Sequence, residues 1–215
     1  MKFQSTRNKN LRLDSAETIV KGLSEDGGLF VPVEIPVLKK GEITELSKLS
    51  YCERAKQIFS KFMTDFSEEE LFECAKGAYI GKFENDEPTP LVKLGENVYM
   101  LELWHGPTCA FKDMALQILP YFLTTSAKKI NLDKKIVILV ATSGDTGKAA
   151  LAGFADVEGT RIIVFYPKNG VSPIQEKQMV TQKGKNTHVV GIHGNFDDAQ
   201  TGVKNIFAAC QGKEL

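Results

Sequence analysis

Two hydrophobic rhythms divide this chain. Up to residue 84 the apolar positions recur every three or four residues, the spacing of amphipathic helices. Residues 15–22 predict a short helix ending at Gly22, and the double glycine Gly27-Gly28 then turns into an extended 29–32. Ser50 and Glu53 mark a capping box that opens a helix with Ile58, Phe59, Phe62 and Met63 on its apolar side. Ser67 and Glu70 mark a second, ahead of Leu71, Phe72, Ala75 and Ala78. Residues 84–90 are polar, contain Pro88 and Pro90 and lack periodicity, so a small, mostly helical domain 1–84 is expected to give way to a second, 85–215.

From residue 91 the rhythm changes. Residues 91–94 and 97–103 predict a hairpin around Gly95-Glu96. After Lys112 an apolar helix runs through Met114, Ala115, Ile118, Leu119, Phe122 and Leu123, with Pro120 expected to kink or limit it. Strands at 136–141, 161–166 and 187–192 then alternate with helices at 146–155, 172–182 and 197–210. That alternation predicts an α/β fold: right-handed βαβ units and a parallel twisted sheet flanked by helices on both faces. The β-branched run 135–141 is expected to be a strand buried on both faces. Ligands in such folds bind beyond the carboxyl ends of the strands, where residues 143–147 lie.

Two segments carry candidate chemistry. In the first, residues 103–113, Lys112 follows a Gly-Pro turn and Phe111 at the mouth of the apolar helix. Desolvation disfavours an ammonium ion, which is how a lysine becomes a Schiff-base nucleophile near neutral pH. A solvated lysine in a first helical turn is the plainer alternative. The second is Thr142-Ser143-Gly144-Asp145-Thr146-Gly147, between a strand and a helix. Free amides and the positive end of a helix dipole welcome a carboxylate or phosphate there, although an ordinary capped βα turn has the same composition. A nucleotide P-loop is disfavoured, since the motif fails at both ends: it requires Gly at Thr142 and Ser or Thr at Ala149.

Together these segments resemble threonine synthase, a pyridoxal-phosphate enzyme family of the tryptophan-synthase-β type (fold type II). The family's His-Gly-Pro-Thr-x-Ala-Phe-Lys-Asp segment is read here from His105 to Asp113, and its Ala-Thr-Ser-Gly-Asp-Thr-Gly loop from Ala141 to Gly147. Residues 22–32 are similar to its N-terminal signature, and Tyr166-Pro167-Lys168 with residues 172–177 to a later segment. Members of that family are much longer, and the glycine-rich grip on the cofactor phosphate and the hydroxyl that meets the pyridine nitrogen are not found in this chain. Gly194-Asn195-Phe196 reads as a strand-to-helix turn, and the polar ending 210–215 suits a gene fragment with an incomplete cofactor-binding domain.

The resemblance implies that Lys112 holds pyridoxal 5′-phosphate and moves protons on O-phospho-L-homoserine, giving L-threonine and phosphate after water addition. Phe111 would flank the pyridine ring, with a core role the equal alternative. Ser143, Gly144, Thr146 and Gly147 would meet the substrate carboxylate. Asp145 would lie at the cofactor's phenolic edge, orienting the loop rather than facing the carboxylate. Lys168 and Lys177 are candidate phosphate partners or plain surface lysines, and His105 either hydrogen-bonds within the turn or packs. Other readings are a threonine-synthase-like phospho-lyase, a threonine dehydratase relative (which residues 22–32 disfavour), and a non-catalytic fragment serving as an interaction surface.

Composition narrows the field. Of 215 residues 42% are hydrophobic and 25% charged, ordinary for a globular domain. Lys plus Arg and Asp plus Glu both number 27, so no net charge favours nucleic acid or an anionic membrane. No apolar run approaches the ~20 residues of a membrane span, and the N-terminus lacks the apolar core of a secretory signal. Cys52, Cys74, Cys109 and Cys210 are widely spaced without zinc-ligand pairing and read as reduced cytoplasmic thiols, and the three histidines do not cluster; no metal is expected. Cys109, three residues from Lys112, is expected to pack and could line the site. The expected assembly is a monomer or homodimer.

Overall fold

A computed structural model describes residues 1–210; the expectation for the polar ending beyond Cys210 lies outside them. By its contacts the described chain forms two units, one of residues 1–102 with 118–133 and one that begins with residues 103–117 and resumes at residue 134.

The first unit opens with β1 (Phe3–Ser5), β2 (Arg12–Leu13), α1 (Ser15–Lys21) and β3 (Phe30–Pro32), followed by α2 (Glu42–Leu46), α3 (Tyr51–Phe62) and α4 (Glu68–Tyr79). The strands form an antiparallel sheet in the order β2-β1-β3. Both capping boxes form: Ser50 and Ser67 accept the amides of Glu53 and Glu70, whose carboxylates return to the cap amides. Leu71, Ala16, Met63 and Phe66 make the core, with Ile19, Phe59, Phe62 and Phe122 packed against it. The signature at 22–32 contains a hydrogen-bonded turn, with the Gly27 amide reaching the Ser24 carbonyl and the Ser24 amide the Gly28 carbonyl. The Asp26 carboxylate accepts the Ser5 hydroxyl (2.8 and 2.9 Å) and the Gly28 amide (2.8 Å), and these partners hold its carboxyl below the ordinary range.

The hairpin forms from β4 (Leu91–Lys93) and β5 (Tyr99–Leu101), paired antiparallel. The single helix expected after Lys112 is two: α5 (Asp113–Leu116) and α6 (Leu119–Lys129). Pro120 stands in the first turn of α6. It has no N–H to donate, and its ring would clash with the carbonyl four residues back, at Leu116. A new helix therefore starts, with proline where a missing N–H costs nothing.

The second unit continues with β6 (Ile136–Ala141), α7 (Asp145–Phe154), β7 (Thr160–Pro167), α8 (Pro173–Val180), β8 (Thr187–Ile192) and α9 (Phe196–Cys210). Its three strands are parallel in the order β6-β7-β8, with Ile138 opposite Ile162 and Val164 opposite Val189. This is the expected α/β arrangement. Burial departs from expectation in one strand. The middle strand β7 buries Ile162 and Val164 completely, whereas β6 is an edge and leaves Val137 47% exposed. Helix α7 packs against β7 and β6 and α8 packs against α7, with Ala149, Leu151 and Phe154 of α7 and Met179 of α8 buried. At the opposite end from the candidate loop, Asn186 clasps the chain by donating to the carbonyls of Phe154 (2.9 Å) and Thr160 (3.3 Å). Among the described residues no helix is long and apolar enough to cross a membrane.

Candidate functional site

Lys112 and the 143–147 loop meet within the second unit. Lys112 is the N-cap residue of α5, and its Nζ donates to Asp145 Oδ2 at 3.1 Å. Asp145 opens α7, where a carboxylate is favoured by the helix dipole, and its other oxygen accepts the Thr146 amide at 2.8 Å. Both side chains keep some solvent contact, 27% for Lys112 and 39% for Asp145. The surroundings expected to desolvate the amine are thus replaced by a carboxylate partner on one side and an aromatic face on another. Lys112 Nζ sits 4.2 Å from the Phe111 ring centroid, a cation–π distance, while that ring is 59% exposed.

The loop is held from beneath by Thr142, a buried residue to which the sequence assigned no task. Its hydroxyl oxygen accepts the amides of Gly144 (3.0 Å) and Gly147 (2.9 Å). Its own amide continues the sheet by donating to the Phe165 carbonyl at 3.0 Å. Gly144 and Gly147 therefore shape the loop with their amides already engaged. The exposed Ser143 and the half-buried Thr146 are the hydroxyls on the open side. A threonine just before Ser-Gly at a strand end is the signal that could have revealed this, because a short hydroxyl there caps the following turn.

Gly144 needs its lack of a side chain. Its φ is +147°, and an added Cβ would stand 2.4 Å from Gln175 Oε1. Gln175 belongs to the segment 172–177, which gains a task through this contact. Ser172 caps α8 through the Gln175 amide, and Glu176 accepts the Tyr166 hydroxyl at 2.8 Å, so the start of α8 braces both the loop and the end of β7. Burial, with the Glu176 carboxylate, pushes the Tyr166 phenol up.

The remaining candidates take different positions. Lys168 is exposed just past β7 and Lys177 exposed on α8; among the described residues neither side chain hydrogen-bonds to the loop. His105 stacks on Trp104 with ring centroids 5.5 Å apart. Cys109 is exposed, in the left-handed region at φ +56°. Burial pushes the ammonium of Lys148, one residue past the loop, below its ordinary range, while the charge of Asp113 acts the other way.

Comparison with known proteins bears on this geometry. Residues 2–79 match the family model "Threonine synthase N terminus", and residues 83–213 match "Pyridoxal-phosphate dependent enzyme". The threonine synthase of Schizosaccharomyces pombe is 39% identical over 213 residues, covering 95% of this chain and 41% of the relative. The crystal structure of PLP-bound threonine synthase from Brucella melitensis superposes with a TM-score of 0.89 at 37% identity, over 97% of this chain and 44% of that one. Human "Threonine synthase-like 1" is 38% identical over 200 residues, 89% of this chain and 26% of the relative. The chain thus spans less than half the length of these relatives and corresponds to the N-terminal portion of threonine synthases.

Proposed function

The chain belongs to the pyridoxal-phosphate-dependent enzyme family, and from that membership we propose that it carries the cofactor-lysine portion of a threonine synthase. The reaction is the conversion of O-phospho-L-homoserine and water to L-threonine and phosphate. The observation that carries the reading is the approach of Lys112 Nζ to Asp145 at the carboxyl end of a parallel sheet.

The residues present suit the aldehyde end of pyridoxal 5′-phosphate: a primary amine, an exposed aromatic face beside it, and a carboxylate that orients the amine. When bound, that cofactor withdraws electrons from the substrate carbon and so eases proton loss. Lys112 would tether it and supply the amine that holds and moves protons at Nζ. Phe111 would offer an aromatic face beside it. Asp145, which fixes Lys112 and caps the first turn of α7, would orient that amine. Ser143 and Thr146 donate hydroxyls to the substrate carboxylate, and Gly144 and Gly147 give the loop its curvature. Residues 1–84 form the N-terminal domain and 85–215 the first part of the cofactor domain of a cytoplasmic protein, monomeric or homodimeric, acting on a small molecule rather than nucleic acid or membrane.

Borohydride reduction of the full-length protein with its cofactor, then peptide mapping, tests this. The label is expected on Lys112 and absent from Lys112→Ala; a label elsewhere overturns the assignment. A second reading is a threonine-synthase-like phospho-lyase that releases phosphate without forming threonine, since the similar human protein is named as like a threonine synthase and not as one. Product analysis with O-phospho-L-homoserine separates the two, since only a threonine synthase yields threonine in step with phosphate.

A further inference from the structure

We propose that Asp113 is the positioning residue of the lysine turn, its buried carboxylate gathering residues 106–108 so that Lys112 is aimed at the 143–147 loop. This rests on reading Lys112 as the cofactor lysine.

Asp113 is wholly buried, and both its oxygens are committed to one residue. Oδ2 accepts the Thr108 amide and Oδ1 the Thr108 hydroxyl, each at 2.8 Å. Thr108 is itself buried. The turn closes on the carboxylate so tightly that a Cβ on Gly106 would stand 2.6 Å from Oδ2. Within that frame the Cys109 amide reaches the Gly106 carbonyl (3.1 Å) and the Asp113 amide the Ala110 carbonyl (3.0 Å). Lys112 is the residue just before Asp113, so the backbone that sets its direction is anchored from the next position along.

A buried carboxylate is an expensive way to close a turn, because burying it costs several kcal/mol before its hydrogen bonds are counted. What a charge adds is reach toward the other half of the site. Lys148 lies half-buried on α7, directly after Gly147, and feels the charge of Asp113. Its ammonium also donates to the Gln182 side chain. The carboxylate thus holds the lysine turn by hydrogen bonds, and α5, which it opens, packs against α7, the helix that carries Asp145.

A residue needed only for folding would lower stability and leave the surviving folded protein fully reactive. A positioning residue slows the reaction of Lys112 within the folded population. The test uses the full-length protein, its Asp113→Asn, Thr108→Val and Thr108→Ser variants, and pyridoxal 5′-phosphate as the probe. The adduct is followed by its absorption band, trapped with borohydride and mapped; melting is followed by circular dichroism. At temperatures well below melting, Asp113→Asn and Thr108→Val are expected to label Lys112 about tenfold more slowly. Thr108→Ser, which restores the hydroxyl that Thr108→Val lacks while the backbone amide is present in both, is expected to recover the rate that Thr108→Val loses. Labelling of folded Asp113→Asn at the unaltered rate overturns the proposal, as does equal loss in Thr108→Val and Thr108→Ser. Should Asp113→Asn fail to fold, the threonine pair decides alone. A parent protein that carries no label at Lys112 sinks the cofactor reading and the proposal with it, whereas a labelled parent beside unaltered variants overturns the proposal only.

Discussion

Gly144 and Gln175 touch so closely that no side chain fits between them: a Cβ on Gly144 would lie 2.4 Å from Gln175 Oε1 and 2.5 Å from its carbonyl carbon. The glycine also holds φ +147° and ψ −91°, a conformation that side chains resist. Two separate penalties therefore stand against substitution, one steric and removable, the other in the backbone. Gly144→Ala should destabilise the protein by about 1–3 kcal/mol and weaken substrate binding. Adding Gln175→Ala should recover only part of the loss, since the backbone strain persists. Thermal melting and KM of the single and double variants check this; full recovery would mean the backbone term is negligible.

Ser143 is exposed at the open side of the same loop, while Thr142 takes the amides of Gly144 and Gly147 beneath. A hydroxyl offered to a carboxylate forms a charge-assisted hydrogen bond, whose loss weakens binding by about tenfold. On the proposed function, Ser143→Ala in the full-length protein should raise the KM for O-phospho-L-homoserine by about that factor with little change in melting temperature. Leu139→Val, on the strand below, should cost about 1 kcal/mol of stability and leave KM nearly unchanged. Equal KM effects would make the loop a structural element.

What the sequence disclosed and what it hid separate along a physical line. Features specified by neighbours in the chain were legible. The β-branched run ends at Ala141 as read, both capping boxes form at Ser50 and Ser67, and the helix after Lys112 is limited near Pro120 as expected. Features decided by distant pairing were not. That β6 is an edge, with Val137 exposed, follows from strand order, which the local pattern cannot state. Thr142 and Asp113 stand inside the quoted motifs, yet their partners depend on how each turn folds back. The helix α2 is too short for a period to register.

Within the first unit, Glu70 closes the capping box of α4 and also receives Lys129 of α6, at 3.1 and 2.8 Å on its two oxygens. Burial acts to raise its carboxyl, but the Lys129 ammonium and the Ser67 amide prevail and hold it below its ordinary 4.5. A carboxyl lowered in the folded state stabilises above its unfolded value, and that contribution disappears as pH falls through the folded one. Glu70→Gln should therefore cost about 1 kcal/mol at pH 7. The gap between the two proteins should close on acidification below the ordinary carboxyl range. Denaturant midpoints at neutral and acid pH measure it; a gap that persists in acid would assign the effect to packing.

The thiols give a probe of the lysine turn that needs no turnover. Cys52 and Cys74 are buried, and burial pushes both thiols up, which disfavours the reactive thiolate. Cys109 is exposed at the corner of the turn, between Thr108, whose hydroxyl is committed to Asp113, and the segment leading to Lys112. Iodoacetamide applied to the native full-length protein should label Cys109 at least about tenfold faster than Cys52 or Cys74. A cofactor tethered to Lys112 would crowd the same corner, so pyridoxal 5′-phosphate should slow Cys109 labelling and leave the other two unaffected. In Lys112→Ala the protection should vanish while the basal rate persists, because the thiol remains exposed. Mapping the alkylated peptides over time distinguishes the outcomes. Protection that survives Lys112→Ala would place the cofactor away from this turn, and Cys109 labelling as slow as Cys74 would contradict the exposure from which the argument starts.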